Sequence, residues 1–235
     1  MAPVPLNLLA TALGLGDHEH VAVVGGGGKT TTLRALASQL AGSVILTTTT
    51  KMGADQANGF ALRIDPSDAD LHAATRDGPV MVWKSIAGPK AIGVTPDDCD
   101  RWFAMFDHVL VEADGARHAP FKAPAPYEPV VPGSTTVLGS MIGVDAIGRV
   151  IADRCHRPLR VAALAGCQPY QRLSTTGAAR VLTHPDGPRR ACPASARMVV
   201  IVTKVDPTTA EVADDLASQV RALDPTVEVI EVAHL

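Results

Sequence analysis

Four glycines, a lysine and three threonines follow one another at residues 25–32, and residue types in that order can grip phosphate. Successive backbone N–H groups of Gly25, Gly26, Gly27, Gly28, Lys29 and Thr30 can curl around an anion, and glycine leaves the approach free of Cβ atoms. Lys29 can reach the β and γ phosphates of a nucleotide, the Thr30 hydroxyl can bind Mg²⁺, and Thr31 lies alongside. The pattern GxxxxGK[ST] expects a glycine where Val23 stands. That position is nearer the preceding strand than the phosphates. Without a ligand the same run would be a mere Gly-rich turn.

Two further stretches could complete such a site. VLVEADG at residues 109–115 puts Glu112 and Asp114 after an apolar run. A carboxylate at the end of a buried strand beside a phosphate loop can hold Mg²⁺ or its water. Glu112 to Gly115 has the ExxG spacing that replaces DxxG in several metal-delivery GTPases. Glu112 and Asp114 compete for the metal, for orienting water and, with Lys29, for the catalytic role; either could instead be a helix cap or a solvated turn. VIVTKVD at residues 200–206 supplies Thr203, Lys204 and Asp206. In GTPases [NT]KxD offers its Asp to N1 and N2 of guanine while the Lys stem covers the base. The plain alternative is a charged turn before a helix begun at Pro207. Guanine is favoured over adenine, and both GTP and ATP stay open. The run TTTTKM at residues 47–52 could sense a γ phosphate or a substrate, and Lys122, His156 and Arg157 could contact anions.

Elements of alternating type must position these residues. Residues 20–24 and 44–47 read as buried strands, with a helix over 30–40 between them. A strand near Leu62 and a helix over 68–75 follow, then a strand pair, 80–84 and 91–94, joined by the turn AGPK. Residues 96–106 read as a helix with Asp97 and Asp98 in its first turn. Apolar strands are expected in 108–112, in 135–143 and over 199–203 and 227–232, with helices over 174–182 and 208–223. Residues 6–13 form a short helix with Leu6, Leu9 and Leu13 on one face. This alternation predicts one α/β domain over residues 1–235, a mostly parallel sheet flanked by helices. The loop over 185–196 is expected to be surface chain.

Composition narrows the function classes. The 235 residues are 46% hydrophobic and 19% charged with net charge -3, which fits a soluble globular protein and gives no electrostatic footprint for nucleic acid. Two Trp, two Tyr and four Phe leave few platforms for stacking bases. Cys99, Cys155, Cys167 and Cys192 contain no CxxC pair, so reduced cytoplasmic thiols are expected rather than a zinc ribbon or disulfide framework. The apolar start of the chain lacks a basic region and is too short to span a bilayer, so neither export nor a membrane anchor is expected.

The combination GGGGKTTTL, TTTTKM, VEADGARHAPFKAPAPYEPVVP, IGVDAIG, CHRPL and VTKVD resembles, in that order, the YqeC family of selenium-dependent hydroxylase accessory proteins. The resemblance runs from about Leu6 to Asp206 and beyond, and its most specific part is EADG with Lys122, Pro124 and Pro126 downstream. The family commonly has Asn where this chain has Thr203, and a non-Gly residue at the second loop position. The resemblance implies a phosphate-loop NTPase that helps mature molybdenum hydroxylases, with a molybdenum hydroxylase or its cofactor-maturation proteins as partners. Hydrolysis of GTP or ATP with Mg²⁺ is the leading expectation. The loop GxxGKTT also resembles that of Mur-type ligases, so a small-molecule kinase or ATP-dependent ligase, with residues 119–132 walling a substrate pocket, is the alternative. A nucleotide-binding protein without chemistry is the third.

Overall fold

The computed structural model describes residues 2–233. Its strands are β1 (Glu19–Gly25), β2 (Val44–Thr48), β3 (Lys51–Gly53), β4 (Ala61–Ile64), β5 (Val80–Trp83), β6 (Ser85–Ala87), β7 (Lys90–Ile92), β8 (His108–Glu112), β9 (Phe121–Lys122), β10 (Val137–Gly143), β11 (Cys155–His156), β12 (Arg197–Val205) and β13 (Glu228–Ala233). The helices are α1 (Leu9–Ala12), α2 (Lys29–Ala37), α3 (Asp68–Ala74), α4 (Pro96–Phe103), α5 (Ile151–Arg154), α6 (Pro158–Ala165), α7 (Thr175–Thr183) and α8 (Ala210–Leu223).

Eight strands form one sheet in the order β13-β12-β10-β1-β8-β2-β5-β4, and every pairing in it is parallel. Such a sheet must be covered on both faces, which explains the apolar runs within β1 and β8 and the full burial of β10. Alternate residues of β1 point to opposite sides. Val21 and Val23 pack with Leu33 and Leu36 of α2 and with Leu9. Ala22 and Val24 pack toward Leu71 of α3 and Trp102 of α4. Beyond β1 the second face continues over Ile142, Val200 and Val202, covered by α6, α7 and α8. The fold is an α/β layer sandwich of the phosphate-loop type: β1 leads through the glycines into α2, and the acid-bearing β8 lies directly beside β1.

Several elements depart from the expected pattern, β9, β11 and α5 among them as short elements with no period to read. The strand pair lies elsewhere than 80–84 and 91–94: β5 joins the large sheet beside β2 and β4, and the AGPK turn links β6 to β7, with β3 on the other side of β7. Continuous apolar character in β5 is the signature of the parallel sheet, whereas the hairpin is exposed along β6. Helix α6, absent from the periodicity reading, starts at Pro158 and ends at left-handed Gly166. Its short Ala-rich sequence has too weak an apolar contrast to stand out. Within residues 185–196, Pro188–Ala191 forms a 3-10 turn in which Pro188 is buried.

Candidate functional site

The glycine loop leaves the C-terminal end of β1 at the centre of the sheet. Val23, where the longer motif has glycine, is inside β1 opposite Gly139 on one side and Glu112 on the other. It is part of the sheet, before the loop begins. Gly25, Gly27 and Gly28 take φ of 96°, 86° and 99°, in the left-handed region that glycine enters at low cost. Backbone also crowds the loop: a Cβ on Gly25 would lie 2.3 Å from the Met141 carbonyl oxygen, on Gly26 2.4 Å from that of Ala119, and on Gly27 2.2 Å from the Gly143 nitrogen. At Gly28 nothing stands within 4 Å. The first three glycines therefore let the protein's own chain close around the loop, and Gly28 leaves it open outward.

Gly28 is the N-cap of α2 and no side chain caps that helix. First-turn amides of a helix lack intrahelical acceptors, and the helix dipole favours an anion there. Lys29 is buried at the same point. Its ammonium donates to the Gly25 carbonyl at 2.6 Å and lies 3.2 Å from Asp114 and 3.8 Å from Glu112. Thr30 is half-buried and Thr31 is exposed.

The two carboxylates have different surroundings. Glu112 ends β8, and its Oε2 accepts a 2.7 Å hydrogen bond from the Thr30 hydroxyl. Two hard oxygen donors in contact, one hydroxyl and one carboxylate, fit Mg²⁺, which commonly takes one or two protein ligands and completes its shell with phosphate and water. Among the described residues no group of three or more His, Cys, Asp or Glu side chains could hold a metal by itself. Asp114 is buried behind the loop. It accepts from the Gly25 amide at 3.1 and 3.0 Å and lies between Lys29 and Lys122, the latter at 3.0 Å.

From Asp114 the charges continue in alternation. Lys122 donates to the Gly115 carbonyl at 2.8 Å and to Glu128 at 2.7 Å, and Glu128 pairs with Arg157 at 2.7 Å. Buried charges persist when each has a counter-charge and hydrogen bonds, and this chain provides both. Burial pushes the Glu128 carboxyl up, but its bonds to Lys122 and Arg157 outweigh burial and hold it below the usual range. Lys122 and Arg157, singled out as anion contacts, are thus engaged by carboxylates. Glu128 and Asp145 lie within the stretches VEADGARHAPFKAPAPYEPVVP and IGVDAIG, but no spacing pattern singles them out, and only the fold brings Glu128 to Lys122 and Arg157 and Asp145 to Lys204.

The third motif meets the loop at one residue. Thr203, near the end of β12, donates through its hydroxyl to the Gly27 carbonyl at 2.5 Å. Lys204 has a φ of 61° and its ammonium pairs with Asp145 at 2.9 Å. Asp206 turns its Oδ1 to the Thr208 amide and hydroxyl at 2.8 and 2.6 Å and to the Thr209 amide at 3.1 Å. These bonds hold its carboxyl below the usual range and cap the approach to α8. In the TTTTKM run, the hydroxyls of Thr47, Thr48 and Thr49 donate to the carbonyls of Val82, Glu112 and Val130. They fasten the end of β2 to its neighbours, and Lys51 is left exposed.

Known proteins share this arrangement of sequence. The family model described as YqeC protein matches residues 21–159, which contain the glycine loop, Glu112, Asp114 and the whole chain of charges to Arg157. The protein carrying the name uncharacterized protein YqeC, from Escherichia coli (strain K12), is 31% identical over 194 residues, covering 78% of this chain and 75% of its own. Among solved structures, the crystal structure of hydrogenase maturation factor HypB from Archaeoglobus fulgidus aligns over 97% of this chain and 87% of that one, with 12% identity and a TM-score of 0.43. A likeness of that degree carries no functional argument. With the family model matched over more than half its length and a relative aligned across most of it, the chain belongs to the YqeC family.

Proposed function

We propose that the protein binds a purine nucleoside triphosphate with Mg²⁺ and hydrolyses it, as an accessory factor in the maturation of a molybdenum hydroxylase. The observation that carries the nucleotide reading is the contact of Thr30 with Glu112 beside Lys29, at the uncapped N-terminus of α2. In this reading the loop amides and Lys29 hold the β and γ phosphates, and Thr30 and Glu112 hold the metal. Mg²⁺ supplies neutralisation of the charge that develops on the transferred phosphoryl group. Lys29 moves from the Gly25 carbonyl to phosphate oxygens. Asp114, hydrogen-bonded to the Gly25 amide and paired with two lysines, sets the loop's shape and the lysine's position. The cycle of triphosphate and diphosphate would gate engagement of a partner protein. The selenium and molybdenum context comes from the family resemblance alone.

GTP is preferred to ATP on the order of the motifs and on the tie between Thr203 and Gly27, which brings the TKxD strand against the phosphate loop. Competitive binding of GTP, ATP and XTP to the wild type and to Asp206→Asn tests the base. A shift from GTP toward XTP in the variant supports a guanine site. Equal preference for ATP in both proteins removes it.

A further inference from the structure

A depression borders the segment, residues 116–120, that packs against the phosphate loop at Gly26. It has a volume of about 320 Å³ and is walled by residues 116–120 and 153–156, a size at the lower end of small-molecule sites. The pairing of Cys155 with Phe121 and of His156 with Lys122 fixes its floor. The Ala119 carbonyl on this segment is the group that a Cβ on Gly26 would strike, so the segment that lines the depression also packs against the loop.

Four of its nine lining residues are Arg or His: Arg117, His118, Arg154 and His156. Arg117 and His118 stand at the rim with φ of 50° and 63°, a left-handed backbone costly for residues other than glycine. Both are exposed, and among the described residues neither has a hydrogen-bond or ion-pair partner. Arg154 also lines the wall and reaches Asp145 only at 3.4 Å. Asp153 is the carboxylate among the lining residues. Burial lowers the pKa of His156 on this floor, the charges of Lys122, Arg157 and Arg117 lower it further, and Glu128 opposes them. Arg117, without a counter-charge at a concave surface, is placed to receive an anion, and the His118 ring beside it can donate an N–H.

We propose that this depression binds a small molecule through a tetrahedral oxyanion, either a phosphate monoester or free phosphate, with Arg117 and His118 as donors. The proposal stands on the depression itself and not on the nucleotide reading. It also gives the group-transfer alternative a place for a second substrate, next to the loop and outside it.

Inorganic phosphate and phenyl phosphate are titrated separately, without nucleotide, into the wild type, Arg117→Asn, His118→Asn and Lys29→Ala. Asparagine tolerates the left-handed backbone, so the two rim variants keep the wild-type unfolding midpoint. Saturable binding is expected in the wild type, weakened about tenfold or more by either rim substitution, as for loss of a charge-assisted hydrogen bond, and retained in Lys29→Ala. Tighter binding of phenyl phosphate assigns an ester, and tighter binding of phosphate assigns the free ion; either supports the site. Binding lost in Lys29→Ala but kept in the rim variants would move the anion to the glycine loop and overturn the proposal. So would equal loss in all variants, or no saturable binding of either probe.

Discussion

At the residue scale, chemically similar side chains two positions apart have different tasks. Glu112 touches Thr30, whereas Asp114 sits between two buried lysines. Removing the charge at Asp114 leaves both ammonium groups short of a partner, so Asp114→Asn should destabilise by about 3–5 kcal/mol, the cost of breaking a buried pair. Glu112→Gln should cost less, about 1 kcal/mol, since the amide keeps an acceptor for Thr30, the ammonium contact is at 3.8 Å and Lys29 keeps Asp114. Denaturant unfolding of the two variants checks this contrast. A larger loss in Glu112→Gln would reverse the roles. The order of loop, acid and TKxD motifs was legible in the sequence because each is a run of neighbouring residues. The sorting of Glu112 from Asp114 was not, because it depends on Lys122, which reaches Asp114 through the path of β9.

At the element scale, the pair β9 and β11 holds the proline-rich segment against the site. These strands are two residues each, too short for any period to reveal, and they join chain segments more than thirty residues apart. The large sheet, by contrast, could be read from its apolar runs, and α8 from its amphipathic spacing. Glu128 fastens the proline-rich segment by bonding Lys122 on β9 and Arg157 at the N-cap of α6. Because its folded pKa lies below the unfolded value, it contributes stability above the ordinary carboxylate pKa of about 4.3 and loses that contribution as pH falls through the depressed one. Glu128→Gln should therefore be less stable than the wild type near pH 7, by on the order of 2 kcal/mol. The gap should close in acid below about pH 4. Urea midpoints measured from pH 7 to pH 3 test this. A gap that is constant with pH would show that the carboxylate's charge contributes nothing.

At the scale of the whole molecule, a parallel sheet directs all its strands' C-terminal ends to one edge, where ligands of open α/β sheets bind. That topology brings β1, β8 and β12 together although their motifs lie far apart in the chain, and it places the glycines, Glu112 and Thr203 within one neighbourhood. No described helix is long and apolar enough to cross a membrane. The central claim is that this edge holds a magnesium nucleotide through Lys29. Its most direct test is calorimetric titration of GTP and ATP, with Mg²⁺, into the wild type and Lys29→Ala. Saturable binding of at least one nucleotide is predicted for the wild type, weakened about 10-fold to 100-fold in the variant, as for loss of a charge-assisted phosphate contact. Absence of binding by the wild type to either nucleotide, or equal affinity in Lys29→Ala, would contradict it.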